Sequence, residues 1–395
     1  MSRELISHNS DLKKLRDEGY EVEIRATYLL MHNVPYVNAN KEVKRGTLVS
    51  GLELAGDKTV KPTDHVALFT GDHPCNKNGV EISQIKHSSS NQALAPDLIV
   101  KHSFSNKPPN GYNDYYEKMT RYAEIISGPA QSLEPDASAK TFRVIESQGE
   151  ESVFHYIDTA SSRAGIKAIT DKLVPGKLGI VGLGGTGSYI LDFVAKTPVR
   201  EIHLFDGDSF YSHNAFRSPG AASLDELRRA PKKVNYYYEL YSRMRRHVVA
   251  HDCYINSSNV DQLRGLDFIF LCLDKNGVKN LIVEQLEQWQ TPFIDVGMDV
   301  IALDDTEVLI GDLRVTTSTE RKREHVRRRV SFSDGGENGD YDRNIQIAEL
   351  NALNAALAVV KWKKLMGVYQ DLENEHHSTY SLNVNMLRSE DQGSS

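Results

Sequence analysis

The stretch KLGIVGLGGTGSYILDFVAKTPVREIHLFDGDSFYSHNAFR, residues 177–217, decides the fold. Its first apolar run, Leu178 to Val181, has the length and composition of a buried parallel strand. Gly182, Gly184, Gly185 and Gly187 follow directly, and from Tyr189 to Val194 the apolar residues take up a helical period. Glycines in that position permit a tight strand-to-helix turn and let the backbone come close to a phosphate. They also leave the amides of the helix N-terminus free to bind anionic oxygens. A second strand, Glu201 to Phe205, ends on Asp206, a carboxylate at the carboxyl edge of the sheet where it can accept hydrogen bonds from a ribose.

A Gly-rich turn with a downstream acid occurs in many dinucleotide enzymes, so the departures carry the information. The glycines read G-x-G-G-x-G, and Asp206 is followed by Asp208, Asn214 and Arg217 in the order D-x-D-x5-N-x2-R. A hydride-transfer site has no reason to gather a second acid, an amide and a guanidinium on one loop. A site for ATP has one: Arg and Asn hold triphosphate oxygens, and an extra acid helps to organise Mg2+. On these motifs the sequence resembles the ThiF/MoeB superfamily, the fold shared by ubiquitin-activating enzymes and bacterial sulfur-carrier adenylyltransferases. The resemblance runs from about Phe154 to the C-terminus.

Composition sets outer limits. A chain of 395 residues has room for two domains with their own cores, and 39% hydrophobic with 26% charged residues is ordinary for a globular protein. A net charge of −7 gives no electrostatic footprint for nucleic acid. No apolar run approaches the roughly 20 residues that span a bilayer, and MSRELISHNSDLKK lacks the apolar core of a signal peptide, so a cytoplasmic protein without membrane contact is expected. Cys75, Cys253 and Cys272 are too scattered for a disulfide framework or a structural zinc site.

The expected class is α/β: a Rossmann-like adenylation domain over 142–395, preceded by a smaller α+β recognition domain over 1–141. In the latter, Asn9 or Ser10 caps a helix from Asp11 to Asp17 that Gly19 ends. Strands are expected at Tyr20–Met31, Gly46–Leu54, His65–Thr70 and Leu98–Phe104, and a helix at Asn113–Ile126 with Asp114 in its first turn. The Pro-, Ser- and Ala-rich residues 127–141 read as a linker. Residues 65–85, HVALFTGDHPCNKNGVEISQI, resemble the part of ubiquitin-conjugating enzymes that runs through a His-Pro dipeptide and an Asn-Gly turn to the active-site cysteine. Ile82, next to Ser83, stands where that pattern puts the nucleophile. The resemblance therefore implies a binding domain rather than a transferase.

After Arg217, Ser223 to Arg246 reads as one long helical stretch holding Lys232 and Lys233, and Leu266 to Leu273 as a strand ending on Asp274. Strands at Thr291–Val300 and Glu307–Val315 follow, then a basic run over 317–342 that reads as a solvated loop, then an amphipathic helix over 344–365. The superfamily resemblance implies roles for these residues. Gly182, Gly184, Gly185 and Gly187 cradle phosphate, Asp206 and Asp208 bind the nucleotide, and Asn214, Arg217 and Lys233 (with Lys232 in reserve) hold the phosphates. Asp274 holds Mg2+, and Arg163, from a short helix before the glycines, crosses a homodimer interface to the partner's ATP. The basic run crosses over the active site, and the substrate's tail threads beneath it.

The implied reaction is ATP-dependent adenylation of the C-terminal carboxylate of a ubiquitin-like protein, with the N-terminal domain recruiting that substrate or a conjugating-type partner. No Cys-x-x-Cys pair and no cysteine beyond Asp274 is present, so the zinc knot and the thioester cysteine of related branches are missing. Cys253 and Cys272 read as core thiols inside strands and Cys75 as a loop thiol, so the acyl group is expected to pass to another protein or to an unmarked hydroxyl. A nucleotide-binding scaffold without adenylation is the alternative, and an NAD-dependent oxidoreductase is disfavoured.

Overall fold

The structure, a computed structural model, describes residues 2–95, 97–143, 152–156, 158, 161, 166–274, 276–303, 307–332 and 345–389. The chain divides into two compact units, Met1–Ile169 and Thr170–Ser395. No helix among the described residues is long and apolar enough to cross a membrane.

The first unit opens with helices Ser2–His8 and Ser10–Asp17. Asn9 precedes the second helix in extended conformation, but its amide donates to the carbonyls of Leu5 and Asp57 instead of its side chain capping the helix. Gly19, at φ 95°, turns the chain out. Six strands follow: β1 (Glu21–Arg25), β2 (Tyr28–Val37), β3 (Val43–Gly51), β6 (Val66–Phe69), β7 (Lys86–Ala95) and β8 (Leu98–Ser105), with a small hairpin of β4 (Leu54–Ala55) and β5 (Lys58–Thr59) between β3 and β6. The sheet is antiparallel in the order β1-β2-β3-β6-β8-β7.

Helix Tyr115–Leu133 lies on this sheet, capped by the Asp114 carboxylate accepting from Glu117 N, and it buries Tyr115, Met119, Tyr122 and Ile126. It extends through Gly128 and Pro129, so the first half of the expected linker is helix. Pro129 removes one backbone donor, but Ala130, fully buried with Val37 and Ala137, keeps the last turns on the core. Cys75 is also not the exposed loop thiol the sequence suggested. Its backbone bridges to Val37 and to Glu81, which leaves the side chain 1% exposed.

The second unit is built on an eight-stranded sheet. Its strands are β9 (Lys177–Val181), β10 (Glu201–Phe205), β11 (Val248–His251), β12 (Phe268–Leu271), β13 (Phe293–Leu303), β14 (Val308–Ser318), β15 (His377–Ser381) and β16 (Met386–Ser389). They lie in the order β11-β10-β9-β12-β13-β14-β15-β16. The pairs from β11 to β13 are parallel and those from β13 to β16 antiparallel. On one face, helices Gly185–Ala195 and Ala348–Leu365 pack on each other and enclose Ile180, Ile190, Val194, Phe270 and Trp362. On the other, helix Asn276–Gln288 contributes Ile282, Val283 and Leu286 to a second core with Leu263, Ile269 and Leu271. The strand order turns back beside β9, so the β9 turn opens at a topological switch point.

The expected long helix after Arg217 is two, Leu224–Arg229 and Lys233–Tyr241. Pro231 lacks a donor and disfavours helical conformation in the residue before it, and Ala230 takes the left-handed region at φ 43°. The break has a consequence for the site. Lys232 bridges back to Ser209, which brings Lys233 to the end of β10.

Candidate functional site

A cleft of about 880 Å³ opens along the carboxyl ends of β9, β10 and β12 and adjoins a smaller hollow of about 440 Å³. The two share Asp208, Arg217, Lys233 and Tyr254. The glycines form the floor of the turn. Gly182 sits at φ 91°, and a Cβ there would stand 2.5 Å from the Cys272 carbonyl oxygen. A Cβ on Gly187 would stand 2.0 Å from the Gly182 oxygen, and one on Gly185 2.1 Å from Asn351 Nδ2. Gly184 has open space in front of it. Strand and turn are packed backbone to backbone, and the final helix reaches the turn through the Asn351 side chain, approaches that only glycine permits.

Asp206, 8% exposed, splints this turn: Oδ2 accepts from Leu183 N at 2.7 Å and Oδ1 from Asp208 N at 2.8 Å. Lys233 Nζ lies 3.6 Å from Asp206 Oδ2 and 2.7 Å from Asp208 Oδ2. The hydroxyl of Tyr254 donates to Asp208, and that hydrogen bond, more than burial, pushes the Tyr254 phenol up to about 12. Lys232 instead donates to the Gly207 carbonyl at 2.6 Å.

Asn214 is 3% exposed, and its Oδ1 accepts from Tyr211 N at 2.9 Å. Its Nδ2 has no acceptor, and neither has the buried Nε of Arg217. Buried donors are almost always paired in folded proteins, and these two belong to residues that line one hollow, a place for an acceptor that arrives with a ligand. Asp274 lies exposed just beyond β12 and lines the larger cleft. Arg163 and Lys275 lie outside the described residues.

Several residues of the cleft escaped the sequence reading. Asn351 accepts from Thr186 Oγ1 at 2.9 Å, which fixes the final helix to the Gly turn. Asn354, fully buried, donates to the Gly297 carbonyl. Two asparagines three apart in an apolar helix share one face, and that was the available signal. Asp295, fully buried, is clasped by Lys279 Nζ at 3.0 Å and Arg314 Nη2 at 2.7 Å. The guanidinium lies over Gly297, where a Cβ would meet Nη2 at 2.5 Å. Asp295, set between Ile294 and Val296 in the apolar part of TPFIDVGMDV, was the clue to a buried ion cluster. His213, in the smaller hollow beside Asn214, was not singled out either.

Part of the basic run is not a solvated loop. β14 continues to Ser318, Val326 and Val330 are buried under the helix Asn276–Gln288, and Arg327 pairs with Glu287 at 3.1 Å. Residues 333–342 of that run lie outside the described residues. Cys253 and Cys272 each sit just past a strand rather than within it and line the cleft half-buried, and desolvation raises both thiols above their ordinary value. Among the described residues no three His, Cys, Asp or Glu side chains are grouped to hold a metal ion.

A sheet whose parallel half brings a Gly-rich turn, carboxylates and unpaired donors together at a switch point defines a nucleotide-binding α/β protein. The ThiF family matches residues 159–378, more than half of the sequence, and the chain belongs to that family. A family described as a domain of unknown function (DUF6791) matches residues 10–159. Solved structures similar to this chain include E. coli MccB with MccA-N7isoASN, at 19% identity and a TM-score of 0.48, covering 60% of this chain and 72% of that one. E. coli MccB with ATP aligns at 18% identity and a TM-score of 0.47, covering 60% and 73%. PaaA aligns at 17% and 0.43, covering 57% and 75%. No curated protein matches the chain.

Proposed function

We propose that this chain uses ATP to adenylate the C-terminal carboxylate of a ubiquitin-like protein. The observation that carries the reading is the pair of buried donors without acceptors, Asn214 Nδ2 and Arg217 Nε, beside Lys233 at a glycine turn. Triphosphate oxygens are the acceptors that such a set fits. In this reading the helix N-terminal amides after Gly184 receive phosphate, and Asp206 accepts from the ribose with its remaining lone pairs. Asn214, Arg217 and Lys233 hold the β- and γ-phosphates. Asp274 would hold Mg2+, which would neutralise phosphate charge.

The substrate carboxylate attacks the α-phosphorus, pyrophosphate leaves, and the acyl-adenylate remains. Such a reaction is catalysed chiefly by positioning and charge, which the site's wealth of cations suits. The working unit in this reading is a homodimer, with Arg163 of each copy serving the other's ATP. The N-terminal domain recruits the substrate or a conjugating-type partner.

The test has two stages. MgATP should raise the melting temperature of the chain and NAD should not. With a candidate ubiquitin-like protein ending in Gly, the chain should then catalyse exchange of labelled pyrophosphate into ATP. Equal stabilisation by NAD, or ATP binding with no exchange for any such substrate, refutes adenylation and leaves a nucleotide-binding scaffold.

A further inference from the structure

His213 stands in the smaller hollow with Asn214, Arg217, Lys232 and Lys233 around it and Tyr211, Tyr254 and Asp208 completing the wall. Its ring lies 6.1 Å from that of Tyr211. Among the described residues it has no hydrogen-bond or ion-pair partner, and it is exposed at the mouth of the hollow. The charged groups facing it are mostly fixed. Lys233 is paired with Asp208 at 2.7 Å, Lys232 lies 3.6 Å from Asp252, and Tyr254 donates to Asp208. An imidazole therefore sits where cations gather, free on both nitrogens, next to the buried donors of Asn214 and Arg217.

We infer that His213 is a phosphate-chain contact that binds its anion by taking up a proton, so that polyphosphate binding at this hollow is coupled to pH. In the free protein, partial desolvation and then the charges of Arg217 and Lys233 hold the His213 imidazole below its ordinary value, with Asp208 pulling the other way. A bound polyphosphate cancels the field of those cations and adds its own negative charge. Both changes favour the imidazolium. The folded, liganded protein thus binds more of this proton than the free protein does in the window between the depressed free value and the raised bound one. Affinity rises as pH falls through that window and is level outside it. When pyrophosphate departs the proton returns to solvent, so the same residue favours product release at higher pH.

The inference rests on the reading of the cleft as an ATP site, and two probes separate them. Calorimetric titration of the full chain with MgATP and with inorganic tripolyphosphate, between pH 5.8 and 8 in buffers of different ionisation enthalpy, reads both affinity and protons bound. Wild type should take up about half a proton at the middle of that window and gain about tenfold in affinity over His213→Gln as pH falls, since one unit of pKa is a factor of ten. His213→Lys, a permanent cation, should keep tight binding at pH 8 without the proton. Equal pH profiles and proton counts for wild type and His213→Gln overturn the inference while the ATP reading stands. Proton-linked binding of tripolyphosphate without ATP binding upholds the inference and refutes the ATP reading. Binding of neither probe overturns both.

Discussion

The two ends of the cleft are built from the same kinds of side chain and treat them in opposite ways. At the β9–β10 end, Asn214 Nδ2 and Arg217 Nε are buried with nothing to donate to. At the β13–β14 end, Asp295 is more deeply buried yet held by two cations, and Arg314 goes on to donate to Thr316 Oγ1 at 2.7 Å, which in turn meets His377 Nδ1 at 3.0 Å. A buried donor left unpaired costs about 1–3 kcal/mol, a burden that persists in a fold where a ligand relieves it. The Asp295 carboxylate has its charge balanced by two cations, although its Oδ1 and the Oδ1 of the buried Asn354 accept no hydrogen bond. The first end thus offers unpaired donors to an arriving anion, whereas the second balances its buried charge within the protein.

The contrast can be broken first where it is strongest. Asp295→Ala leaves Lys279 and Arg314 facing each other without their anion. Loss of one member of a buried ion cluster typically costs about 3–5 kcal/mol, so urea denaturation of the variant should show a loss of that size. A change under 1 kcal/mol would mean that the clasp is not structural. At the other end the fold should survive and the chemistry should not. Arg217→Ala and Asp274→Ala are each expected to keep the ligand-free melting temperature and to lower ATP–pyrophosphate exchange by roughly two orders of magnitude, because each removes charge stabilisation in the transition state. Exchange near wild type in either variant removes that residue from the site.

A smaller effect is expected from mixing subunits. If Arg163 acts across the dimer, Arg163→Ala mixed with Asp274→Ala should recover a fraction of wild-type exchange, because a mixed dimer contains one whole site. Lack of recovery after verified subunit exchange argues for action in cis. The smallest effect belongs to the first unit. Cys75 is buried, its thiol is raised by desolvation and by Glu81 and Asp72, and its Sγ already meets the His73 carbonyl at 3.4 Å. Cys75→Ser should leave exchange at the wild-type level, and no thiol-sensitive adduct should form on the chain alone. Such an adduct on a non-reducing gel, lost in Cys75→Ser, would make the first unit catalytic.

The sequence by itself determined the strand, glycine turn and helix of residues 177–195, the carboxylate at the end of β10, and the neighbouring Asn214 and Arg217. Each lies within one local βαβ pattern, where backbone geometry and side-chain period leave few choices. The tertiary structure alone decided the rest. The Pro231 break that returns Lys233 to Asp208, the placement of Asn351 against Gly185, and the clasp of Asp295 by Lys279 and Arg314 all join residues distant along the chain. No periodicity records such pairs, because a side chain's partner across a cleft is set by how strands and helices pack, and packing is a property of the folded sheet rather than of any one segment.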